Sequence, residues 1–409
     1  MANHLKGNAV IGQSGGPTSV INQSLVGVVL ELQKLGHVGK ILGSKHGVRG
    51  IINDQYYDLT SAPAALLERV AKTPAAALGS TRDKPDPAYC DKIFANFKAN
   101  NVRYFFYIGG NDSADTARIV DELAIKEGYE LKTYHIPKTI DNDLRVHDHT
   151  PGYGSAARYV ASAFLGDNFD NASLPGIKID VVMGRHAGFL TAASALGRKT
   201  DTDGPHLIYV PEAPVSEDQL LADVDRVYSK LGRCLIACSE GMSTPDGKTW
   251  TEGLVTNLER DSHGNIQLAG TGALADGLAN LITKKLNNPG TGGGGKKLRV
   301  RGDTLGYPQR SFPGYTSEVD ATEARLVGKV AAESSKLDGT ASTSVAMRRK
   351  PGGTYAIETF LTPLSTVARE TKHMPPEFIK DGNNVTQAFL DYARPLIGTL
   401  PEVGSLSEL

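Results

Sequence analysis

Two aspartates stand close behind a lysine in the segment Pro137-Lys138-Thr139-Ile140-Asp141-Asn142-Asp143. A carboxylate can receive the proton of an attacking hydroxyl group, and a nearby cation can neutralise the charge on a moving phosphoryl group. The residue types of this segment therefore suit phosphoryl transfer. By itself the segment could also be a polar turn held by Asx-type backbone bonds. The surrounding elements are therefore needed to choose between these two interpretations.

Two predicted strands bring polar loops to one place. The aromatic run at residues 104–108 stops at Gly109-Gly110, and the apolar run at residues 131–136 stops at Pro137. These are the patterns of buried strands that end in turns. Because ligands of open α/β sheets bind at the carboxyl ends of parallel strands, we expect both loops to line one site.

A glycine turn is predicted at the same edge. An apolar strand at residues 9–11 runs into Gly12-Gln13-Ser14-Gly15-Gly16-Pro17-Thr18 and then into an amphipathic helix. Glycine lets the backbone approach an anion closely, and the first N–H groups of a helix attract phosphate. The sequence is neither a Walker A motif nor G-x-G-x-x-G, and a tight strand-to-helix connection is the alternative interpretation.

A second helix is predicted after Gly109-Gly110-Asn111-Asp112-Ser113. Serine is a favoured N-cap residue and acids favour the first turn, so the pattern predicts Ser113 as the N-cap and Asp115 in the first turn. Asp112 would then be no more than a capping acid.

Four arginines lie near predicted strand ends, namely Arg82, Arg185, Arg301 and Arg310. An isolated arginine in a loop is usually a solvated charge, but arginines beside phosphate-binding loops can grip phosphate in a bidentate manner. Together with the glycine turns and the two aspartates, these cations favour phosphoryl transfer, which needs no covalent protein nucleophile.

Composition narrows the class of protein. The chain has 409 residues, of which 40% are hydrophobic and 22% charged, and its formal net charge is −1. No basic excess suggests nucleic acid, and no apolar run reaches the roughly 20 residues of a membrane span. The first residues lack the apolar core of a signal peptide. With three cysteines, two of them in the apolar run at residues 234–238, we expect a reduced, cytoplasmic protein.

Strands alternate with helices along the chain, which predicts an α/β fold with mainly parallel sheets. The motifs together also resemble a known family. Gly15-Gly16, the Gly109 and Pro137 segments, Met183-Gly184-Arg185, Glu240 and Tyr307-Pro308-Gln309-Arg310 are similar, in order, to the 6-phosphofructokinase family from about residue 8 to about residue 335.

The resemblance implies two doubly wound α/β lobes with the active site in the cleft between them. Residues 1–150 with about 309–355 would form the phosphoryl-donor lobe. Residues 151–308 with about 356–409 would form the sugar-phosphate lobe. The implied reaction, a step of glycolysis and gluconeogenesis, phosphorylates fructose 6-phosphate at its 1-hydroxyl group.

The resemblance also implies residue roles. Asp141 would be the base and Asp143 would assist it, while Arg185 and Lys138 would complete the catalytic group. The donor would contact Gly15, Gly16, Arg82, Asp112 and Lys138. The sugar phosphate would contact Thr139, Ile140, Asp141, Met183, Gly184, Arg185, Glu240, Arg301, Tyr307, Pro308, Gln309 and Arg310.

Donor choice depends on two positions. ATP-dependent members of the family typically have glycine where Asp112 stands, and bacterial ones commonly have glycine where Lys138 stands. A carboxylate at Asp112 would repel the nucleotide α-phosphate, and Lys138 would supply a cation to compact pyrophosphate. The resemblance is therefore to the pyrophosphate-dependent branch, with ATP as the alternative donor.

The metal position departs from the family pattern. The family usually has an aspartate, a Mg²⁺ contact, where this chain has Asn111. An amide oxygen can still bind Mg²⁺ but brings no charge, so a catalytically impaired regulatory homologue is a further alternative. Because some sugar-site arginines of the family come from a neighbouring subunit, the resemblance also implies a homodimer or homotetramer. Its other partners would be small-molecule substrates, without nucleic acid or membrane.

Overall fold

A computed structural model describes residues 5–254, 272–286, 298–368, 370–404 and 406. The chain divides into two compact units. Unit 1 comprises Met1–Ala156 and Arg310–Lys372, and unit 2 comprises Ala157–Gln309 and His373–Leu409. Each unit combines helices with a mainly parallel sheet, so the predicted α/β class is confirmed.

The strands of the described residues are β1 (Asn8–Gln13), β2 (Ile41–Ser44), β3 (Tyr56–Asp58), β4 (Val102–Gly109), β5 (Lys132–Pro137), β6 (Ile177–Val182), β7 (Leu207–Tyr209), β8 (Cys234–Ser239), β9 (Val300–Thr304), β10 (Thr343–Arg349), β11 (Ile357–Pro363), β12 (Ile379–Lys380) and β13 (Asn384–Val385).

The α-helices are α1 (Ile21–Leu35), α2 (Val48–Ile52), α3 (Ala64–Ala71), α4 (Pro87–Ala99), α5 (Asn111–Lys126), α6 (Tyr153–Ser173), α7 (Phe189–Ala192), α8 (Glu217–Leu231), α9 (Trp250–Leu254), α10 (Ala273–Leu286), α11 (Pro308–Ser311), α12 (Glu318–Ser334), α13 (Leu364–Val367) and α14 (Gln387–Ile397). Short 3₁₀ helices occupy Ala193–Gly197 and Pro376–Phe378. Within the described residues, no helix is both long and apolar enough to cross a bilayer.

The described strands of unit 1 form a seven-stranded sheet in the order β11-β10-β5-β4-β1-β2-β3. The inner strands are parallel, and the edge strands β3 and β11 are antiparallel. β4 is buried along almost its whole length, as expected of a central parallel strand that helices cover on both faces. The chain adds β2 on one side of β1 and β4 on the other, so the strand order reverses between β1 and β4. Such a switch point opens a ligand-binding crevice at the carboxyl ends of the strands.

Two glycines let α1 and α12 pack closely in unit 1. A Cβ atom added to Gly27 would lie 2.4 Å from the carbonyl oxygen of Arg325, and one added to Gly328 would lie 2.1 Å from that of Ser24. Neither distance leaves room for a methyl group. The two backbones can therefore approach only because both positions lack a side chain.

The described strands of unit 2 form a four-stranded parallel sheet in the order β7-β8-β6-β9. β6 lies between β8 and β9, so the loops after β6, β8 and β9 leave the same edge of the sheet. Cys234 and Cys238 are buried in β8 as free thiols.

The unit boundaries differ from the residue numbers that the sequence suggested. The first lies at Ala156, inside α6, rather than near 150. The return to unit 2 follows Lys372 rather than residue 355. This second difference arises because β11 pairs along its full length with β10 and stays in the sheet of unit 1.

The predicted N-cap of α5 is wrong. The helix begins at Asn111 with Gly110 as its N-cap, and Asp112 is the acid of the first turn. Ser113 lies inside the helix, where its hydroxyl group shares a 2.6 Å hydrogen bond with the hydroxyl of Ser14. The serine thus joins the first turn of α5 to the loop after β1 and does not cap the helix.

Candidate active site

Three loops meet at the switch point of unit 1. The backbone N–H of Ser14, after β1, donates to Ile108 O at the end of β4 over 2.9 Å. The N–H of Lys138, after β5, donates to Gly109 O over 3.0 Å. The glycine turn, the start of α5 and the segment with the two aspartates are therefore neighbours, as the strand pattern predicts.

Lys138 lies at the centre of this group. Its side chain is buried, and its Nζ donates to the carbonyl oxygen of Gly16 over 2.6 Å. Burial lowers the pKa of Lys138 to about 8; Asp141 pulls this pKa upwards, and the positive charge of Arg310 pushes it down. The protein thus holds a cation between the glycine turn and an aspartate, which is a suitable place for an anion.

Gly15 and Gly16 make room for the cations. Gly15 has a φ of +77°, which favours glycine because a Cβ atom is strained there. A Cβ atom on Gly15 would lie 3.1 Å from Lys138 Nζ, and one on Gly16 would lie 2.9 Å from Nη1 of Arg310. Arg310, predicted as a sugar-phosphate ligand, therefore lies with the proposed donor-binding residues of unit 1.

The aspartate segment is held by two threonine hydroxyl groups. The N–H of Asp141 donates to the hydroxyl of Thr139 over 3.1 Å. The hydroxyl of Thr150 donates to Thr139 O over 3.0 Å, and Thr139 forms a bridge with Gly152. Ile140 is buried between these polar residues. The segment is thus closed into a loop whose backbone fixes the direction of Asp141.

Asn111 lies beside the second aspartate. Its amide nitrogen donates to Asp143 Oδ2 over 3.2 Å. Its amide oxygen is buried and has no hydrogen-bond partner among the described residues, which is costly unless a ligand completes it. The described residues contain no group of three His, Cys, Asp or Glu that could hold a metal ion. An amide oxygen next to a carboxylate fits Mg²⁺, which usually takes few protein ligands and completes its shell with water and phosphate oxygens.

The remaining predicted donor ligands are more exposed. Asp112 projects from the first turn of α5, with 74% of its side chain exposed, and its carboxylate pairs with Lys84 over 3.3 Å. Arg82 is also exposed, yet its charge contributes to lowering the pKa of Lys138. The influence of Arg82 on Lys138 places the charge of Arg82 near the glycine turn.

His135 supports the site from below and is absent from the sequence-based predictions. It is fully buried in β5, where Nε2 donates to Gly109 O over 2.8 Å and Nδ1 accepts from the hydroxyl of Ser344 over 2.8 Å. Burial lowers the pKa of His135 to about 4, so the ring is neutral. The only sequence signal for this role was a histidine between the tyrosine and the isoleucine of a predicted buried strand.

A second group of predicted residues meets at the carboxyl edge of the unit 2 sheet. The N–H of Met183 donates to the side-chain oxygen of Gln309 over 3.1 Å, and the N–H of Gly184 donates to Oε1 of Glu240 over 3.3 Å. Gly241 lets Arg185 approach, because a Cβ atom there would lie 1.9 Å from Arg185 O. Residues after β6, β8 and β9 therefore converge at this edge.

Tyr307 and Pro308 follow β9 and are exposed beside this group. Arg301 is not brought to it. It is the second residue of β9, in register with Lys178 at the amino end of β6, whereas Met183 follows the carboxyl end of that strand. Within one chain, Arg301 thus belongs to the opposite edge of the same sheet.

Comparison with known proteins finds a matching family and similar chains. A family model described as phosphofructokinase matches residues 8–334. The chain is 54% identical to pyrophosphate--fructose 6-phosphate 1-phosphotransferase of Rhodospirillum rubrum, over 96% of this chain and 95% of that one. It is 35% identical to the protein of the same name from Halomonas elongata, over 97% and 92% of the two chains. A crystal structure of pyrophosphate-dependent phosphofructokinase from Nitrosospira multiformis matches with a TM-score of 0.84 and 31% identity, over 98% and 94% of the chains.

Proposed function

Because the chain belongs to the phosphofructokinase family, we propose that it is a phosphotransferase that uses pyrophosphate to phosphorylate fructose 6-phosphate. The 1-hydroxyl oxygen forms a bond to phosphorus, and the bridging P–O bond of pyrophosphate breaks. Orthophosphate leaves, and fructose 1,6-bisphosphate is formed in a step of glycolysis and gluconeogenesis. The bonds that break and form release similar free energies on hydrolysis, so the reaction is reversible. The proposal rests on the position of Lys138, a cation that is held on the glycine turn beside Asp141.

The chemical step needs a base and charge neutralisation. We assign Asp141 as the base that accepts the hydroxyl proton, with Asp143 assisting. The hydrogen bond from the Asp141 N–H to Thr139 supports this role because it fixes the loop. Arg185 would neutralise charge on the moving phosphoryl group.

Donor binding is assigned to the glycine turn and its cations. Gly15 and Gly16 would offer backbone to the pyrophosphate, while Lys138 and Arg82 would pair with its charge. Asp112, exposed at the start of α5, would repel the longer and negatively charged chain of a nucleotide. The named relatives support pyrophosphate as donor rather than ATP, and an active enzyme rather than an impaired homologue.

Sugar-phosphate binding is assigned mainly to the group at the carboxyl edge of the unit 2 sheet. The buried Gln309 and Glu240 orient Met183 and Gly184 by accepting from their N–H groups. The proposed ligands are Thr139, Ile140, Asp141, Met183, Gly184, Arg185, Glu240, Tyr307, Pro308, Gln309 and Arg310. Arg301 is proposed to act on a neighbouring copy of the chain, because it lies at the other edge of its own sheet. This supports a homodimer or homotetramer.

Mg²⁺ is the proposed cofactor, and Asn111 and Asp143 would hold it. When bound, it would supply positive charge to the phosphate oxygens of the donor. The buried amide oxygen of Asn111, which the described residues leave without a hydrogen bond, supports this assignment. The absence of a spanning helix among the described residues is consistent with the proposed cytoplasmic location.

The test is formation of fructose 1,6-bisphosphate in Mg²⁺ with pyrophosphate or ATP as the sole donor. We expect activity with pyrophosphate and only trace activity with ATP. Activity with ATP alone would contradict the role of Asp112, and inactivity of the folded protein with both donors would contradict the function. Replacing Asp141 with alanine is expected to lower kcat by roughly 10²–10⁴, the usual contribution of a general base; unchanged turnover would contradict its assignment.

A further inference from the structure

Lys372 lies behind the aspartate segment, far from it in sequence. It is the last residue of the second segment of unit 1. Its backbone N–H donates to the carbonyl oxygen of Asp143 over 2.7 Å. Its partly buried Nζ donates to the carbonyl oxygens of His147 and Asp148 over 3.0 and 2.9 Å. Lys372 therefore donates hydrogen bonds to three carbonyl groups of the loop that carries Asp143.

The neighbours of Lys372 follow the same loop. Thr371 forms an antiparallel bridge with Leu144, and the carboxylate of Glu370 pairs with the guanidinium of Arg145. The segment that contains Lys372 thus runs antiparallel to the residues that follow Asp143. Pairing along consecutive residues fixes a loop better than a single contact, because each bond limits the motion of the next.

An apolar cluster anchors the preceding turn. Val367 and Ala368, at the end of α13, are buried against Leu144 and Ala114. Ala114 belongs to α5, the helix that begins with Asn111. Val367 and Ala368, shortly before Lys372 in sequence, therefore pack against the helix that begins with Asn111 and against the residue that follows Asp143.

We propose that Lys372 is a positioning residue that fixes the backbone of Asp143, and with it the geometry of the Asp141–Asp143 carboxylates, for phosphoryl transfer. The inference rests on the proposed function. Lys372 does not touch substrate in this role. It acts on the loop, where a displacement of about 1 Å can cost up to 10²-fold in rate.

The test compares K372M with K132M, a matched control. Lys132, also partly buried and also in unit 1, donates from Nζ to the carbonyl oxygens of Ser335 and Leu337 over 3.1 and 2.9 Å. It lies at the amino end of β5, whereas Lys138 and the aspartates follow the carboxyl end. Both methionine variants lose two side-chain bonds to carbonyl groups, so a merely structural role predicts the same loss in each.

We expect kcat per folded protein to fall about tenfold or more in K372M, within the range of misplacement effects, and to stay near wild type in K132M. KM for both substrates should change little in either variant. K372R, which keeps the charge and donors, should recover part of kcat and covers the case in which K372M does not fold. Equal kcat in K372M and K132M would overturn the inference, whereas an inactive wild type would overturn the proposed function instead.

Discussion

The ammonium group of Lys138 donates to the carbonyl oxygen of Gly16 over 2.6 Å, in a place where burial lowers the pKa of Lys138 to about 8. A lysine that loses its proton near pH 8 keeps its charge below that pH and loses it above. If this charge attracts pyrophosphate, binding by the free enzyme must weaken as the pH rises through about 8.

The pH dependence of kcat/KM for pyrophosphate tests this relationship, because that quantity reports the ionisation of the free enzyme. We expect a plateau below pH 8 and a fall approaching tenfold per pH unit above it, as for loss of one essential proton. Lys138→Arg is the control. The arginine stays charged throughout the pH range. Dividing the wild-type profile by the Lys138→Arg profile therefore removes the contribution from the ionisation of pyrophosphate itself. A ratio that stays constant to pH 9.5 would contradict the prediction.

Asp112 is expected to limit the use of ATP as a donor. Its exposed carboxylate at the first turn of α5 is proposed to repel nucleotides, so Asp112→Gly is expected to raise kcat/KM for ATP. A gain of about tenfold corresponds to removing roughly 1.4 kcal/mol of repulsion. Asp115→Gly, in the same helix, removes an acid that pairs with Arg118 over 2.9 Å and is expected to leave ATP use unchanged. If both variants gained equally, general loosening of the helix would be the cause.

Asn111 is expected to affect Mg²⁺ binding. Asn111→Asp replaces the donor to Asp143 with a carboxylate, so two negative charges face each other until a cation binds. The variant is expected to have a lower Tm than wild type in EDTA and a larger rise in Tm with Mg²⁺, because a ligand that binds the folded state stabilises it. Its half-saturating Mg²⁺ concentration should fall. Sodium chloride at equal ionic strength is the control; an equal rise with sodium would show charge screening alone.

Gly328 is expected to be important for stability because it lets α1 and α12 pack closely. A methyl group there would lie 2.1 Å from Ser24 O, so Gly328→Ala must separate α1 from α12 and is expected to destabilise the protein by about 3 kcal/mol. Gly166→Ala is the matched control. Gly166 lies within α6 with no atom within 4 Å of an added Cβ, so alanine should stabilise by about 0.5–1 kcal/mol. Thermal unfolding should therefore shift in opposite directions, and a shift in the same direction would contradict the packing argument.

Local patterns predicted the elements that carry the site. The runs of apolar and aromatic residues in β4 and β5 identify buried strands, because both faces of a parallel sheet are covered. The positions of the loops after these strands follow from that. The start of α5 was misjudged because Gly110 serves as its N-cap while Ser113 bonds to Ser14. Sequence spacing does not reveal a partner that lies on another loop.

Other residues were beyond prediction from the chain alone. Lys372 contacts carbonyl groups more than two hundred positions away, and any residue offers a carbonyl, so no side-chain pattern marks the contact. Arg301 has the right type for a phosphate ligand, but its place at the amino end of β9 depends on where that strand begins. Both cases depend on register and topology rather than on residue type.

The discontinuity of unit 1 has a consequence for its synthesis. β10 pairs with β5, and α12 packs on α1, yet both elements are translated only after residue 309. A nascent chain that ends before them has β5 as an open sheet edge and α1 with an uncovered face. Open edges and uncovered apolar faces invite aggregation. The ribosome must therefore synthesise unit 2 up to β9 before the sheet of unit 1 can be completed. The residues that are made first are thus among the last to reach their final environment.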